Sequence, residues 1–327
     1  MSLIDSLKEK LSRSNIKPRI VYAEGWNPNI QNAAIEVASN NTVVPILIFH
    51  KASEIPTGLT LKHIVIDRDD LSKYANLLFE LRKAKGMTLE QSKELVKQPN
   101  YLATLMVKSN DADGEICGID YTTKDTLKPA LQIIKTAPGA KLVTSAFVME
   151  KGEEQYVMGD CAINIYPTSE ELANITKMIS LFAKETVGFG EVRTAMLSYS
   201  TVGSGAGESV DKVRAAYDLV KNDEQLKDNN IKVFGEMQFD AAFVPSVMIK
   251  KAKGISWKQT ANTFVFPNID AGNIGYKIAQ RMGQFQAVGP VLIGLALPVN
   301  DLSRGASQDD VVGLSYITGN QALSNKR

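Results

Sequence analysis

The chain has 327 residues, 44% hydrophobic and 22% charged, with 37 Lys and Arg against 36 Asp and Glu. That length exceeds one ordinary compact domain and points to two; a net charge of +1 gives no global basic field for nucleic acid. No apolar run is long enough to span a bilayer, and two histidines with two cysteines leave little material for a His-paired nucleophile or a zinc site.

Met1 to Ser14 sets Ile4, Leu7 and Leu11 among Lys8, Glu9 and Lys10, an amphipathic helix and not a secretory signal. Cys117 and Cys161 are too far apart to form a disulfide framework, which fits a reducing cytoplasm. Arg19–Ala23 reads as a strand, and Ile30, Ala33, Ala34 and Val37 mark a helix face. Val43–Phe49 is a nearly continuous apolar run, as in a strand covered on both faces. Ile64–Ile66 is shorter, and Leu71, Tyr74, Leu77, Leu78 and Leu81 line a helix that Gly86 ends. Thr88 with Gln91 predicts a capping box for Leu89–Val96, which Pro99 terminates. A short helix over Tyr101–Val107, a strand over Glu115–Ile119 and a helix over Thr126–Lys135 follow.

Pro138-Gly139 marks a turn and a domain junction. Leu142–Val148 and Tyr156–Ile165 are close enough for local antiparallel pairing. Thr168 with Glu171 caps a long helix ending at Gly188. Strands at Thr194–Leu197, Ile231–Phe234 and Thr263–Phe266 alternate with helices at Val210–Leu226, Phe239–Ala252 and Ile274–Phe285. Repeated β–α units imply mainly parallel sheets with right-handed crossovers, and ligands in such sheets bind at the carboxyl ends of strands.

One corner concentrates chemistry. Val291–Leu297 reads as a buried strand, and Val311, Val312, Leu314, Ile317 and Leu323 recur at helical spacing. Between them lie Ser303, Arg304, Gly305, Asp309 and Asp310. A helix N-terminus with a planar cation suits phosphate or carboxylate oxygens. The same residues also suit a helix cap, Ser307 pairing with Asp310. Elsewhere, the loop Gly203–Gly207 has Glu208 where a dinucleotide fingerprint needs its third glycine. Cys117 suits a buried strand cysteine better than a nucleophile. Arg82 is readable either as a surface cation or as an anion ligand.

Asn300-Asp301-Leu302-Ser303-Arg304-Gly305 with Asp310 resembles the C-terminal signature of phosphate acetyltransferases. Ala195–Thr201, Asp240-Ala241-Ala242, Gly272–Arg281, Glu80–Thr88 and Asp125–Ala130 match the same family in order, so the resemblance covers essentially the whole chain. It implies two αβα domains with a cleft between them, isocitrate/isopropylmalate dehydrogenase-like, built from 1–138 plus 299–327 and from 139–298. It further implies a cytoplasmic homodimer that exchanges an acetyl group between CoA and inorganic phosphate. CoA, acetyl phosphate and phosphate would be its partners, with no cofactor, metal, nucleic acid or membrane. In that reading Asp310 takes the CoA thiol proton, Ser303 donates to the carbonyl oxygen and Arg304 holds the phosphoryl group, while Arg82, Lys128, Asn300 and Thr126 bind substrate. Asp310 would need partial burial or neighbouring cations to serve as base to a thiol. The family usually has arginine where Lys128 stands, and many members have cysteine where Ala306 stands. Lysine loses the bidentate fork. The alternatives are a phosphate butyryltransferase and a catalytically silent acyl-CoA-binding or regulatory protein.

Overall fold

Short apolar runs alternating with capped helices give an α/β fold, which the computed structural model describes for residues 2–324. Two compact units result: Ile4–Pro138 with Leu295–Arg327, and Gly139–Gly294 with Met1–Leu3.

The first unit begins with α1 (Leu3–Arg13). Then come β1 (Arg19–Tyr22), α2 (Pro28–Ser39), β2 (Val44–Phe49), β3 (Lys62–Val65), α3 (Ser72–Arg82), α4 (Leu89–Leu95), α5 (Pro99–Lys108), β4 (Gly114–Cys117) and α6 (Thr123–Pro129). The Thr88–Gln91 capping box forms as its spacing predicts. Pro99 differs from expectation: it opens α5 at the first helical turn, where its missing N–H costs nothing. The last helix also differs. It starts at Thr123, because Thr122 and Asp125 make a capping box, and it passes into a π-helical turn at Ala130–Ile134.

The second unit contains β5 (Thr144–Lys151), β6 (Glu154–Gly159), α7 (Ser169–Phe182), β7 (Val192–Leu197), α8 (Glu208–Val220), α9 (Glu224–Asp228), β8 (Ile231–Met237), α10 (Phe239–Phe243), α11 (Pro245–Lys251), β9 (Thr263–Val265), α12 (Ile269–Arg281) and β10 (Gln286–Ile293). Its sheet order is β10-β5-β6-β9-β7-β8. β5 pairs antiparallel with both β6 and β10, and the remaining pairs are parallel. β6 stops at Gly159 and does not reach Ile165. The buried Asp160 carboxylate instead accepts the N–H groups of Ala162, Ile163 and Asn164 and turns the chain away. Pro245 divides the helix expected over Phe239–Ala252.

The chain returns to the first unit at Gly294–Leu295, four residues before the expected boundary at 299. Gly294 has φ +97°, and a Cβ there would lie 2.6 Å from the Leu142 carbonyl oxygen. The apolar run Val291–Leu297 is therefore not the strand that feeds the corner. That strand is the three-residue β11 (Val299–Asp301), followed by α13 (Gln308–Ser324).

The first unit's sheet has the order β11-β4-β1-β2-β3, with every pair parallel. The chain steps outward from β1 to β3, then returns to lay β4 on the other side of β1. The strand order thus reverses between β1 and β4, and an open parallel sheet binds ligands at such a point, at the carboxyl ends of its strands. α13 and α5 supply buried apolar residues around this sheet, among them Val311, Leu314, Ile317, Leu102 and Leu105.

Candidate active site

Four segments leave the carboxyl edge of the first sheet side by side: Leu302–Ser307 after β11, Gly118–Thr122 after β4, Ala23–Asn27 after β1, and His50 after β2. The Leu302 N–H donates to the Cys117 carbonyl at 2.7 Å, which extends the β11–β4 ladder to the brink of the corner. The Asn29 side chain donates to the Ala306 carbonyl at 3.0 Å and joins the start of α2 to the same corner. Trp26 donates its indole N–H to Asp120 at 2.9 Å and packs against His50, ring centres 4.3 Å apart.

Ser303 and Arg304 are exposed, and among the described residues their side chains make no hydrogen bond or ion pair. Nothing lies within 4 Å of a Cβ built on Gly305. Asp310 is half-buried in the first turn of α13. Its Oδ2 accepts from the Ser307 N–H at 2.9 Å and the Ser307 hydroxyl at 2.8 Å, while its own N–H points to Ser307 Oγ at 3.3 Å. This is a reciprocal cap. Oδ1 has no protein partner among the described residues, so one carboxylate oxygen aims the helix and the other stays available.

Arg82 and Lys128 lie on two helices of the same unit, α3 and α6. Arg82 closes α3, is half-buried beside Tyr101, and has its Nε buried without a partner among the described residues. Lys128 is exposed in the last turn of the short α6, two residues on from Thr126. Thr126 and Asn300 are placed differently from the sequence expectation. Thr126 is fully buried and donates its hydroxyl to Asp301 at 2.9 Å. Asn300 is also fully buried, and its amide donates to Thr318 at 2.8 Å and Gln321 at 2.7 Å, both on α13. Neither side chain reaches solvent: Asn300 is on β11 against α13, and Thr126 is on α6 against Asp301.

Sequence reasoning missed a group of buried acids under the corner. Glu24 accepts the backbone N–H groups of Gly118, Asp120 and Tyr121 at 2.8–3.1 Å. Burial pushes its carboxyl up to about 7, against the pull of those three donors. Glu115, on β4, is pushed up to about 8 by burial, with the Thr104 hydroxyl opposing. Asp301 is pushed up to about 6 by burial, with Thr123 and Thr126 opposing. Burial beside Glu24 and Glu115 also raises the Cys117 thiol far above its ordinary range, so it is an inert core thiol. The available signal was an acid set in an apolar context, as in Val21-Tyr22-Ala23-Glu24 and Gly114-Glu115-Ile116-Cys117.

In the second unit, the loop Ser198–Gly207 is tied down by Glu236, which accepts from Ser200, Gly203 and both sides of the Arg214 fork at 2.8–2.9 Å. Burial raises the Glu236 carboxyl, but the guanidinium and the two neutral donors outweigh it and hold it down to about 2. The glycines serve a pinned loop, as Gly203 at φ +83° requires.

Residues 2–319 match the model of the phosphate acetyl/butaryl transferase family. The chain belongs to this family. It is 46% identical over 326 residues to the phosphate acetyltransferase of Mycoplasma pneumoniae, covering 99% of this chain and 100% of that one. It is 44% identical to the phosphate acetyltransferase of Bacillus subtilis over 331 residues, covering 98% and 99%. Among solved structures, the EutD phosphotransacetylase from Staphylococcus aureus is 41% identical with a TM-score of 0.89 over 98% of both chains. A putative 4-hydroxythreonine-4-phosphate dehydrogenase from Salmonella typhimurium shares the fold alone, at 12% identity and a TM-score of 0.54 over 94% of this chain and 100% of that one. Ser303, Arg304 and Asp310 all lie on one corner of one unit. Among the described residues, no helix is long and apolar enough to cross a membrane, and no His/Cys/Asp/Glu group could hold a metal ion.

Proposed function

We propose that this enzyme transfers an acetyl group reversibly between CoA and inorganic phosphate by direct thiolate attack in a ternary complex. The observation that carries the reading is the exposed, unengaged pair Ser303 and Arg304 beside a half-free Asp310 carboxylate, at the carboxyl edge of a parallel sheet. The names of its full-length relatives support acetyl as the acyl group.

In the direction from acetyl phosphate, the CoA sulfur forms a bond to the acetyl carbon. Its proton passes to Asp310 Oδ1, and the bond from that carbon to the phosphate oxygen breaks. The Ser303 hydroxyl donates to the carbonyl oxygen as charge grows there, a stabilisation of about 3 kcal/mol. Arg304 binds the phosphoryl oxygens and favours their departure as inorganic phosphate. The proton on Asp310 then returns to solvent or to the departing phosphate. Arg82, whose buried Nε has no partner among the described residues, and Lys128 hold anionic parts of the substrates. No acyl-enzyme, metal or nucleotide cofactor enters, and CoA is a substrate.

The chain works as a cytoplasmic homodimer in this reading. Ile274, Ile278 and Met282 fall at four-residue spacing along α12 and its end and are 59%, 52% and 81% exposed, a stripe suited to a second copy. The test is to supply the purified chain with acetyl phosphate and CoA, without metal or nucleotide, and to follow acetyl-CoA. Repeating the assay with propionyl and butyryl phosphates sets the acyl limit. No acyl-CoA from any of them would refute the reading.

A further inference from the structure

The connection from β4 into α6 is gripped from both neighbouring strands by buried carboxylates. From β11, Asp301 (1% exposed) accepts the Thr123 hydroxyl at 2.6 Å on one oxygen and the Thr126 hydroxyl at 2.9 Å on the other. From the end of β1, Glu24 (0% exposed) collects the N–H groups of Gly118, Asp120 and Tyr121. Every hydrogen bond of the grip spans at least 94 residues of sequence. Gly118 belongs to the same device. Its φ is +110°, and a Cβ there would lie 2.3 Å from Asp301 Oδ1 and 2.7 Å from the Leu302 nitrogen. A side chain at 118 would thus push out Asp301 and the first residue of the corner together.

Asp301 lies two residues before Ser303 and three before Arg304. Where its carboxylate is anchored decides where the chain leaves the sheet. A hydroxyl donor to a carbonyl oxygen must hold its position to within a fraction of an ångström to contribute fully. We propose that Asp301 is a positioning residue for Ser303 and Arg304, locking the exit of β11 to the first turn of α6, with Glu24 as the second grip on the same connection. Neither acid touches substrate; both act through the corner. The proposal rests on the acyl-exchange reading of Ser303.

The test is a double-mutant cycle on the full-length chain, with acetyl phosphate and CoA. Asp301→Asn replaces one acceptor oxygen by a donor and should lower kcat about twenty-fold or more, while KM for CoA stays within about three-fold. Thr126→Val removes a single hydroxyl, leaves the core filled, and should move kcat the same way. It keeps the cycle readable if Asp301→Asn does not fold. In a Ser303→Ala background the same substitutions should lower kcat by a clearly smaller factor than in the unaltered chain, because one of the two groups they position is gone and only Arg304 remains to be displaced. An undiminished loss in that background, or a loss confined to KM, overturns the proposal. If the unaltered chain makes no acetyl-CoA, the exchange reading fails by itself. The grip is then read by amide hydrogen exchange: Asp301→Asn and Glu24→Ala should accelerate exchange over residues 118–127 and leave residues 144–293 unchanged. Uniform acceleration across both ranges would overturn it.

Discussion

Glu24 makes the first unit's stability depend on pH in a direction opposite to that of a salt-bridged acid. Its folded-state pKa of about 7 lies above the ordinary 4.5. Between those values the folded chain holds a proton that the unfolded chain has released, so stability falls as pH rises through this window and levels off above it. A difference of about 2.5 units at 1.36 kcal/mol each amounts to about 3 kcal/mol. Glu24→Gln removes the titration while its remaining carbonyl oxygen can take the place of Oε1, which already receives Gly118, Asp120 and Tyr121. The variant should therefore lose this slope: its stability relative to the unaltered chain should rise by about 3 kcal/mol from pH 4.5 to pH 8. The chain has two tryptophans, one in each unit, since Trp257 is buried in the second. Urea unfolding followed by Trp26 fluorescence in a Trp257→Phe background isolates the relevant unit. Asp120, Glu115, Cys117 and Tyr121 are titratable groups facing Glu24, and they are common to both proteins. A gap between the two proteins that is constant from pH 5 to pH 8, to within about 0.5 kcal/mol, would refute the argument.

Ser307→Ala should destabilise the start of α13 by about 1 kcal/mol and lower kcat as well, since the same hydroxyl orients Asp310; equal kcat values would separate cap from catalysis. Lys128→Arg should lower KM for CoA or phosphate by restoring a planar fork, and unchanged KM for both would remove residue 128 from the site. Gly118→Ala should cost about 3 kcal/mol in urea unfolding, through its positive φ and the collision with Asp301, and wild-type stability would contradict the packing. Ile278→Asp should shift sedimentation from dimer to monomer without altering the fold by circular dichroism, and an unaltered dimer would place the interface elsewhere.

Much of the fold was legible because its signals are local. The capping boxes at Thr88 and Thr168 depend on residues three apart, and both formed where the sequence placed them. The reversal of direction at Gly294 is not local: it depends on the Leu142 carbonyl, 152 positions earlier. For that reason a single apolar run, Val291–Leu297, read as one strand although it crosses between units. The corner residues Ser303, Arg304 and Asp310 were legible through a contiguous motif, and the Ser307 cap through spacing. Asn300 and Thr126 share those motifs but face inward, and a motif carries no information about which side of a strand or helix turns toward solvent. Glu24 and Asp301 were invisible as partners because nothing in the sequence shows that they meet at the same loop.

The chain's path between units also sets an order of assembly during synthesis. Residues 139–294 are contiguous, so the second unit is complete as soon as its own stretch has left the ribosome. The unit whose residues emerge first must wait. Until Val299–Asp301 and α13 appear, the outer edge of β4 is an unpaired strand edge, and the sheet lacks its covering helix. The N-terminal portion therefore spends the synthesis of more than 150 residues with that edge open, the period in which it is most exposed to wrong pairing with another nascent chain. The segment that closes the edge, made only after the second unit, delivers Ser303, Arg304 and Asp310 in the same act.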